Sequence, residues 1–439
     1  GYRVVMSADN DAAHALDGDF RFSMKQPIPS YLLAIAVGDL AVKETGPRTA
    51  VYAQPSEVAA AAKEFEDTEK MIAATEKLYG PYRWDRYDIL VLPASFPFGG
   101  MENPRLTFAT PTVIAGDKSL VGLVAHELAH SWSGNLVTNS DWQHMWLNEG
   151  FTTYVENRIL EAVYGKDEAT MQVVVDDAEL RDELVDTPPQ MQLLVPDLAG
   201  MDPDEGLSGV PYDKGRWFLR FLESRYGRDA FDPFLRGYFD HFAFQSITTQ
   251  DFVSWYQTHL ADKYPGKVSA AEIDEWLHKP GIPSNAPIAH SARFDAIDKA
   301  AADFVADKLK ATDLPAAKWV TLEWVHFINA MPAKLDLKQL AALDQAWKLS
   351  DRGNAEIAFR WYALTIRSGY TQARPQIAAF MERIGRRKLV LPLYEEFAKT
   401  SEGKQFASAI YAKAKPGYHP LTQGSVEKAL GLNQPTTKK

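Results

Sequence analysis

The chain of 439 residues contains no cysteine. Disulfides, thiolate metal sites and cysteine nucleophiles are thereby excluded, so a bound metal has to be held by His, Asp or Glu. Long apolar runs are also missing. A membrane-spanning helix needs about 18 apolar residues in succession, whereas the longest candidate, Tyr31 to Val37, is only strand-sized. No membrane association is expected, and the protein should be soluble; absence of cysteine leaves the cytoplasm and the periplasm equally open. Basic residues are in deficit, 47 Lys and Arg against 58 Asp and Glu, for a formal net charge of -11. That balance argues against nucleic acid as a partner, because phosphate backbones call for a basic surface. An initiator methionine is lacking too: the chain opens at Gly1 directly into strand-like sequence, and reads as processed or truncated.

What is present is enough for two or three packed domains, with 46% apolar and 24% charged residues. Arg3–Met6, Phe20–Met24 and Tyr31–Val37 read as strands, punctuated by Pro27, Pro29, Gly18, Gly38 and Gly46. Three short strands cannot bury a face alone, so residues 1–45 are expected to be the end of an N-terminal β domain. From Ser56 to Leu78 the apolar spacing is helical, with Ser56-Glu57 a plausible cap. Tyr87–Leu92 and Leu106–Phe108 read as strands, 119–134 and 146–164 as helices, and Asp186–Pro211 as an irregular loop. Lys279–Pro287 is the clearest linker. Beyond it, amphipathic helices are expected at 296–310, 315–330, 337–348, 354–367, 372–384 and 391–400. The expected fold class is therefore α+β but mainly helical, with a catalytic domain over 46–283 and an all-α, solenoid-like domain over 284–439.

The decisive stretch is Val124-Ala125-His126-Glu127-Leu128-Ala129-His130. Histidines at i and i+4 share a helix face, so both imidazoles can reach one ion. Zinc accepts nitrogen ligands, and a catalytic site needs three protein ligands plus water. Glu127, one residue past the first ligand, can take a proton from that water without binding the metal itself. Glu149 lies eighteen intervening residues past His130, in Trp146-Leu147-Asn148-Glu149-Gly150. An antiparallel helix pair closed near Gly134 to Ser140 could return its carboxylate to the imidazoles. His144 is read as an ordinary polar position, since the ligand set is complete without it. Glu156, one heptad past Glu149, could orient a ligand imidazole or form a surface ion pair; the sequence leaves both open.

With these residues in view, the chain resembles the gluzincin zinc aminopeptidases of the branch that includes leukotriene-A4 hydrolase and aminopeptidase B. The resemblance rests on Gly99-Gly100-Met101-Glu102-Asn103, on HELAH with Glu149, on the HSWSGNLVTN and WLNEG runs, and on Pro211-Tyr212-Asp213-Lys214-Gly215. It extends to Gly385-Arg386-Arg387-Lys388 and so covers essentially the whole chain. It implies a thermolysin-like catalytic domain with one zinc ion per chain. It also implies that Gly99, Gly100 and Met101 line the substrate and that Glu102 binds its α-ammonium, which makes the enzyme an exopeptidase. A carboxylate at a fixed distance from the metal would then measure out one residue. Tyr212 matches the tyrosine that donates to the tetrahedral oxyanion, and a neutral phenol suits that task at pH 7.

Arg386 and Lys388 match a basic pair that holds a substrate carboxylate; read alone, the segment from Arg383 to Lys388 is a solvated basic patch. Asp204 matches an aspartate near the side-chain pocket, or sits in a solvated acidic loop. The expected partners are short peptides with a free N-terminus, tripeptides in particular, and the chain is expected to be a monomer. Two departures stand out. Leu207 replaces a tyrosine found beside the lipid pocket of leukotriene-A4 hydrolase, and most of the family's N-terminal β domain is not in this sequence. The alternatives are an epoxide hydrolase using the same zinc with Asp204 directing water, and a non-catalytic peptide-binding helical scaffold. Endopeptidase activity is disfavoured, because an internal peptide would leave Glu102 unpaired.

Overall fold

The computed structural model describes residues 1–201 and 208–432. Asp204 and Leu207, named above, lie outside the described residues. The chain divides into two compact units: Gly1–Leu90, Glu102–Phe108 and Val121–His290 form the first, and Val91–Met101, Ala109–Leu120 and Ser291–Lys439 the second.

Unit 1 begins with β1 (Arg3–Met6) paired antiparallel to β2 (Ile35–Gly38), Val4 opposite Val37. β3 (Ala41–Gly46) turns back into β4 (Thr49–Ala53), also antiparallel. α1 (Val58–Glu64) and α2 (Thr68–Tyr79) then cross over to β5 (Tyr87–Val91), parallel to β4. All five residues of β4 and of β5 are buried, as expected of strands covered on both faces. β7 (Leu106–Ala109) follows β5 in the sheet, and the short strand β6 (Gly100–Met101), just before Glu102, belongs to unit 2. The helical part comprises α3 (Gly122–Ala129), α4 (Trp146–Tyr164), α5 (Lys166–Asp186), α6 (Gly215–Tyr226), α7 (Arg228–His241), α8 (Thr249–Tyr256) and α9 (Ala270–His278). Two parallel three-residue strands, β8 (Val137–Asn139) and β9 (Gln245–Ile247), tie the loop after α3 to the segment after α7.

α4 is the axis of this unit. From Trp146 to Leu160 every residue except Glu156 is buried. A helix enclosed on all sides needs its polar groups paired: Arg158 makes two bonds to Asp232, at 2.6 and 2.9 Å. Phe151 lies among Trp146, Tyr238, Phe239 and Phe252, with ring centroids 5.0–6.3 Å away.

Unit 2 is built from α10 (Ala292–Val305), α11 (Thr321–Asn329), α12 (Leu337–Trp347), α13 (Ala355–Ser368), α14 (Arg374–Arg383), α15 (Arg387–Ala398), α16 (Ser401–Ala414) and α17 (Pro420–Ala429). Asn354 caps α13 by accepting from the amides of Glu356 and Ile357.

Several expectations from the sequence are corrected. Phe20–Met24 is not a strand; its residues are exposed or half-exposed, and an edge without a partner does not form a ladder. Within Tyr31–Val37 a turn of 3-10 helix over Ser30–Leu32 precedes the strand. The helix expected from Ser56 breaks into α1 and α2. There Phe65 is buried and the Thr68 hydroxyl donates to the Phe65 carbonyl at 2.6 Å, a local bond that competes with helix continuation. The 119–134 helix is shorter, ending at Ala129. The Lys279–Pro287 segment is tied to unit 1: Trp217 Nε1 donates to the Pro287 carbonyl at 2.8 Å, and the Gly281 amide to Gln192 Oε1 at 2.9 Å.

Because Phe151 is fully buried on the helix that carries Glu149, Phe151→Ala should cost about 3–5 kcal/mol of stability, read from urea midpoints.

Candidate active site

The site arises where the end of α3 meets the start of α4 inside unit 1. After Ala129 the chain tightens: Ser131 and Trp132 donate to the carbonyls three residues back, Leu128 and Ala129, at 2.9 and 3.0 Å. Gly134 then reverses direction at φ +99°, where a Cβ would stand 2.3 Å from Asn148 Oδ1 and 2.9 Å from His130 Nδ1. Only glycine fits there. The reversal returns the chain to α4 with Glu149 in its first turn.

His126 and His130 project from α3 with ring centroids 4.9 Å apart. Their outer nitrogens are both engaged: His126 Nδ1 donates to Glu156 Oε2 at 3.0 Å, and His130 Nδ1 to the Ser133 carbonyl at 3.1 Å. Thr152 Oγ1 lies 3.2 Å from the same His130 nitrogen. With Nδ1 donating outward, each ring in its neutral form keeps the Nε2 lone pair inward. Both Nε2 atoms face Glu149 Oε2, at 3.3 and 3.5 Å. That oxygen is buried and has no hydrogen-bond partner among the described residues. One ligand atom from each of His126, His130 and Glu149 lies within 4.8 Å of the others. An orphaned carboxylate oxygen facing two inward lone pairs, in an N,N,O donor set, fits a zinc ion. Of the two readings left open for Glu156, the structure selects the imidazole partner. His144 instead hydrogen-bonds Thr249 Oγ1 at 2.9 Å and is no part of this set.

Glu127, 5% exposed, and Glu102, 8% exposed, complete a second cluster with His130, again within 4.8 Å. Burial pushes both carboxyls above their ordinary range; at Glu127 the shift is large, and Glu102, Glu149 and Glu156 add to it. Burial opposes an imidazolium at His126, yet Glu149 and Glu156 outweigh it and raise that ring well above its usual value. His130 goes the other way, down to about 4, chiefly through burial. The pocket is thus a concentration of negative charge that invites cations. The Glu102 backbone is itself pinned, its carbonyl accepting from Asn135 Nδ2 at 2.7 Å.

Tyr212 lies on a π-helical turn, Val210–Lys214, with its ring near-parallel to His126 at 6.1 Å. Burial, followed by Glu149 and Glu102, pushes its phenol well above the ordinary value, so it stays protonated and able to donate. Tyr31, missed from the sequence, feels the same two carboxylates after burial and meets Trp142 edge-on at 5.6 Å. Asn135, Ser133 and Thr152 were also missed, for they act through carbonyls and hydroxyls that no spacing rule marks.

Gly99, Gly100 and Met101 belong to unit 2, and the division between units falls between Met101 and Glu102. In unit 2, Arg386 Nη1 lies 3.5 Å from Glu356 Oε1 and 3.3 Å from Thr112 Oγ1, and Lys388 Nζ lies 3.7 Å from Glu356 Oε2. Burial opposes ionisation of Glu356, but Lys388, Arg360 and Arg386 hold its carboxyl well below the usual range. Gly385 is packed on Ser95, whose Cα would be 2.9 Å from any Cβ there.

Two imidazoles and a carboxylate around one point, with the buried Glu127 carboxyl beside them, are a donor set of the kind a metallohydrolase uses. Residues 63–276 match the Peptidase family M1 domain, and residues 319–430 match Leukotriene A4 hydrolase, C-terminal. Aminopeptidase B of Mus musculus is 37% identical over 98% of this chain and 69% of its own length. Leukotriene A-4 hydrolase of Xenopus laevis is 36% identical over 98% of this chain and 73% of its own. The structure of yeast LTA4 hydrolase in complex with bestatin superposes with a TM-score of 0.89 at 33% identity, over 98% of this chain and 72% of that one. The chain belongs to peptidase family M1, the aminopeptidase and leukotriene A4 hydrolase branch, and is a metallopeptidase of that zinc-dependent family. No helix among the described residues is long and apolar enough to cross a membrane.

Two predictions follow from these contacts. Replacing Glu156 by Gln removes the charge that backs His126 and should weaken zinc binding about ten- to a hundredfold in chelator competition. The second concerns Lys214, which is fully buried and donates to the carbonyls of Gln192 and Lys279 at 2.8 and 2.7 Å. Burial lowers its pKa from 10.5 to about 8. Between those values the unfolded chain binds the extra proton, so this group's contribution to stability rises with pH through that window; below the lower value its cost is fully present. Urea midpoints taken from pH 7.5 to 10 should show this upward contribution in the wild type and its loss in Lys214→Met.

Proposed function

We propose that the chain is a zinc aminopeptidase that removes the first residue of short peptides, with His126, His130 and Glu149 holding one zinc ion. A zinc ion in that position supplies Lewis acidity, polarising a carbonyl and acidifying a water molecule. Glu127 is the base: it accepts the proton of the attacking water and returns it to the departing amine. Burial and the neighbouring carboxylates raise its pKa, which makes it a stronger proton acceptor than a free carboxylate. Tyr212 donates its hydroxyl hydrogen to the oxyanion, a bond that strengthens as charge develops. Glu102 pairs with the substrate ammonium and so restricts cleavage to the first peptide bond.

The observation that carries the exopeptidase reading is the closeness of two buried carboxylates, Glu102 and Glu127, at the edge of the ligand set. An enclosed pair of this kind is stabilised by a cation, and a peptide's free N-terminus is one. Arg386 and Lys388, which lie beside Glu356, are the groups that the family resemblance offers to a substrate carboxylate.

The test is hydrolysis of one tripeptide in free, N-acetylated and C-amidated forms, with zinc supplied and a chelated control. The free peptide should be cleaved at its first bond, and chelation should abolish turnover. Acetylation should also abolish it; cleavage of the acetylated form would overturn the role of Glu102. Amidation should lower kcat/KM at least tenfold if Arg386 holds the far carboxylate.

A further inference from the structure

The residues after Tyr212 are held more firmly than a helix start requires. Asp213 Oδ1 accepts from Arg216 Nη2 at 3.2 Å, and the same nitrogen donates to Asp177 Oδ1 on α5 at 2.7 Å. Arg220 adds a longer contact to the other Asp177 oxygen, at 3.4 Å. Arg216 is fully buried and Asp177 is 3% exposed. Lys214 is bound to two carbonyls from separate segments. Gly215 packs directly on Gly150, the residue after the ligand Glu149: a Cβ on either would come within 2.7 Å of the other's Cα. Three successive residues are therefore referenced to three different parts of unit 1, each beside the one tyrosine that faces His126.

A buried guanidinium is costly unless it is paired, and a plain helix start could be made without one. A π-turn carries an extra residue per turn and is often found at functional sites. The Asp213–Arg216 contact spans the junction between this turn and α6, and Asp177 fixes it from outside. We infer that Arg216, held by Asp177, is a positioning residue that sets where Tyr212 presents its hydroxyl to the reacting carbonyl. This rests on the reading of Tyr212 as the oxyanion donor.

The test is steady-state hydrolysis of the free tripeptide by the zinc-loaded full chain, as wild type, Asp177→Asn, Tyr212→Phe and the double variant. Bound zinc is measured for each. Asp177→Asn keeps the side-chain shape but removes the charge that holds Arg216. It should lower kcat about tenfold, with KM within about twofold and zinc content unchanged. In the Tyr212→Phe background the same change should have no further effect, because the group it positions is gone. An equal loss in both backgrounds, or a change confined to KM or zinc content, overturns the inference. If Tyr212→Phe itself retains full kcat, the reading of Tyr212 fails and the inference falls with it. Should Asp177→Asn not fold, Arg216→Lys, which keeps a cation between the two aspartates, is read against Tyr212→Phe in the same way.

Discussion

Everything at the centre of unit 1 answers to one electrostatic constraint: Glu102, Glu127, Glu149 and Glu156 are brought together around two imidazoles with little access to water. Carboxylates so placed must lose their charge, find hydrogen-bond donors, or have cations supplied to them. The protein uses all three. Glu127 and Glu102 are pushed toward their neutral forms, Glu156 takes the His126 proton donor, and Glu149 turns an unsatisfied oxygen toward the imidazole lone pairs. On the function proposed above, a metal dication and a substrate ammonium would be the two cations that complete the balance, and affinity for both would be one property of one cluster.

The packing around the cluster is organised to keep those groups from moving apart. Gly134 folds the chain back sharply enough for α4 to meet α3, and Gly150 lets α6 approach α4 without a side chain between them. The aromatic cluster around Phe151 fixes the far side of α4. Thus His126, His130 and Glu149 come from two helices, while Tyr212 comes from a turn fastened to both the core and the irregular loop. The arrangement explains how a centre built from distant segments is held together by packing on several sides.

How much of this the sequence discloses depends on whether a residue acts through a spacing. His126, His130 and Glu149 are legible because an i,i+4 pair and a returning helix impose a spacing. The extent of α4 is equally clear, since apolar residues recur at helical spacing through Tyr164 and Gly165 ends the run. Glu156 is legible only as a position, because periodicity places it on a face without saying what faces it. Asn135 and Ser133 are silent in the sequence, the one anchoring a backbone carbonyl and the other offering its own. The error at Phe20–Met24 has a similar origin: alternation marks the potential for a strand but not the presence of a partner. α5 is unmarked in the sequence: its buried residues Ala169, Met171, Val173, Val175 and Asp177 do not fall at the three-to-four spacing that announces a helix.

The burial of α4 also bears on how the enzyme comes into being. A helix enclosed from Trp146 to Leu160, and carrying Asn148, Thr152, Asn157 and Arg158 inside the protein, gains little from forming alone in water, where those groups would have no reason to leave the solvent. It becomes stable only as α2, α3, α6 and α7 close around it. Until that happens Glu149 is not held opposite the two imidazoles of α3. The donor set of His126, His130 and Glu149 is on this view a product of packing rather than of local sequence, and an ion bound there would meet a protein already folded.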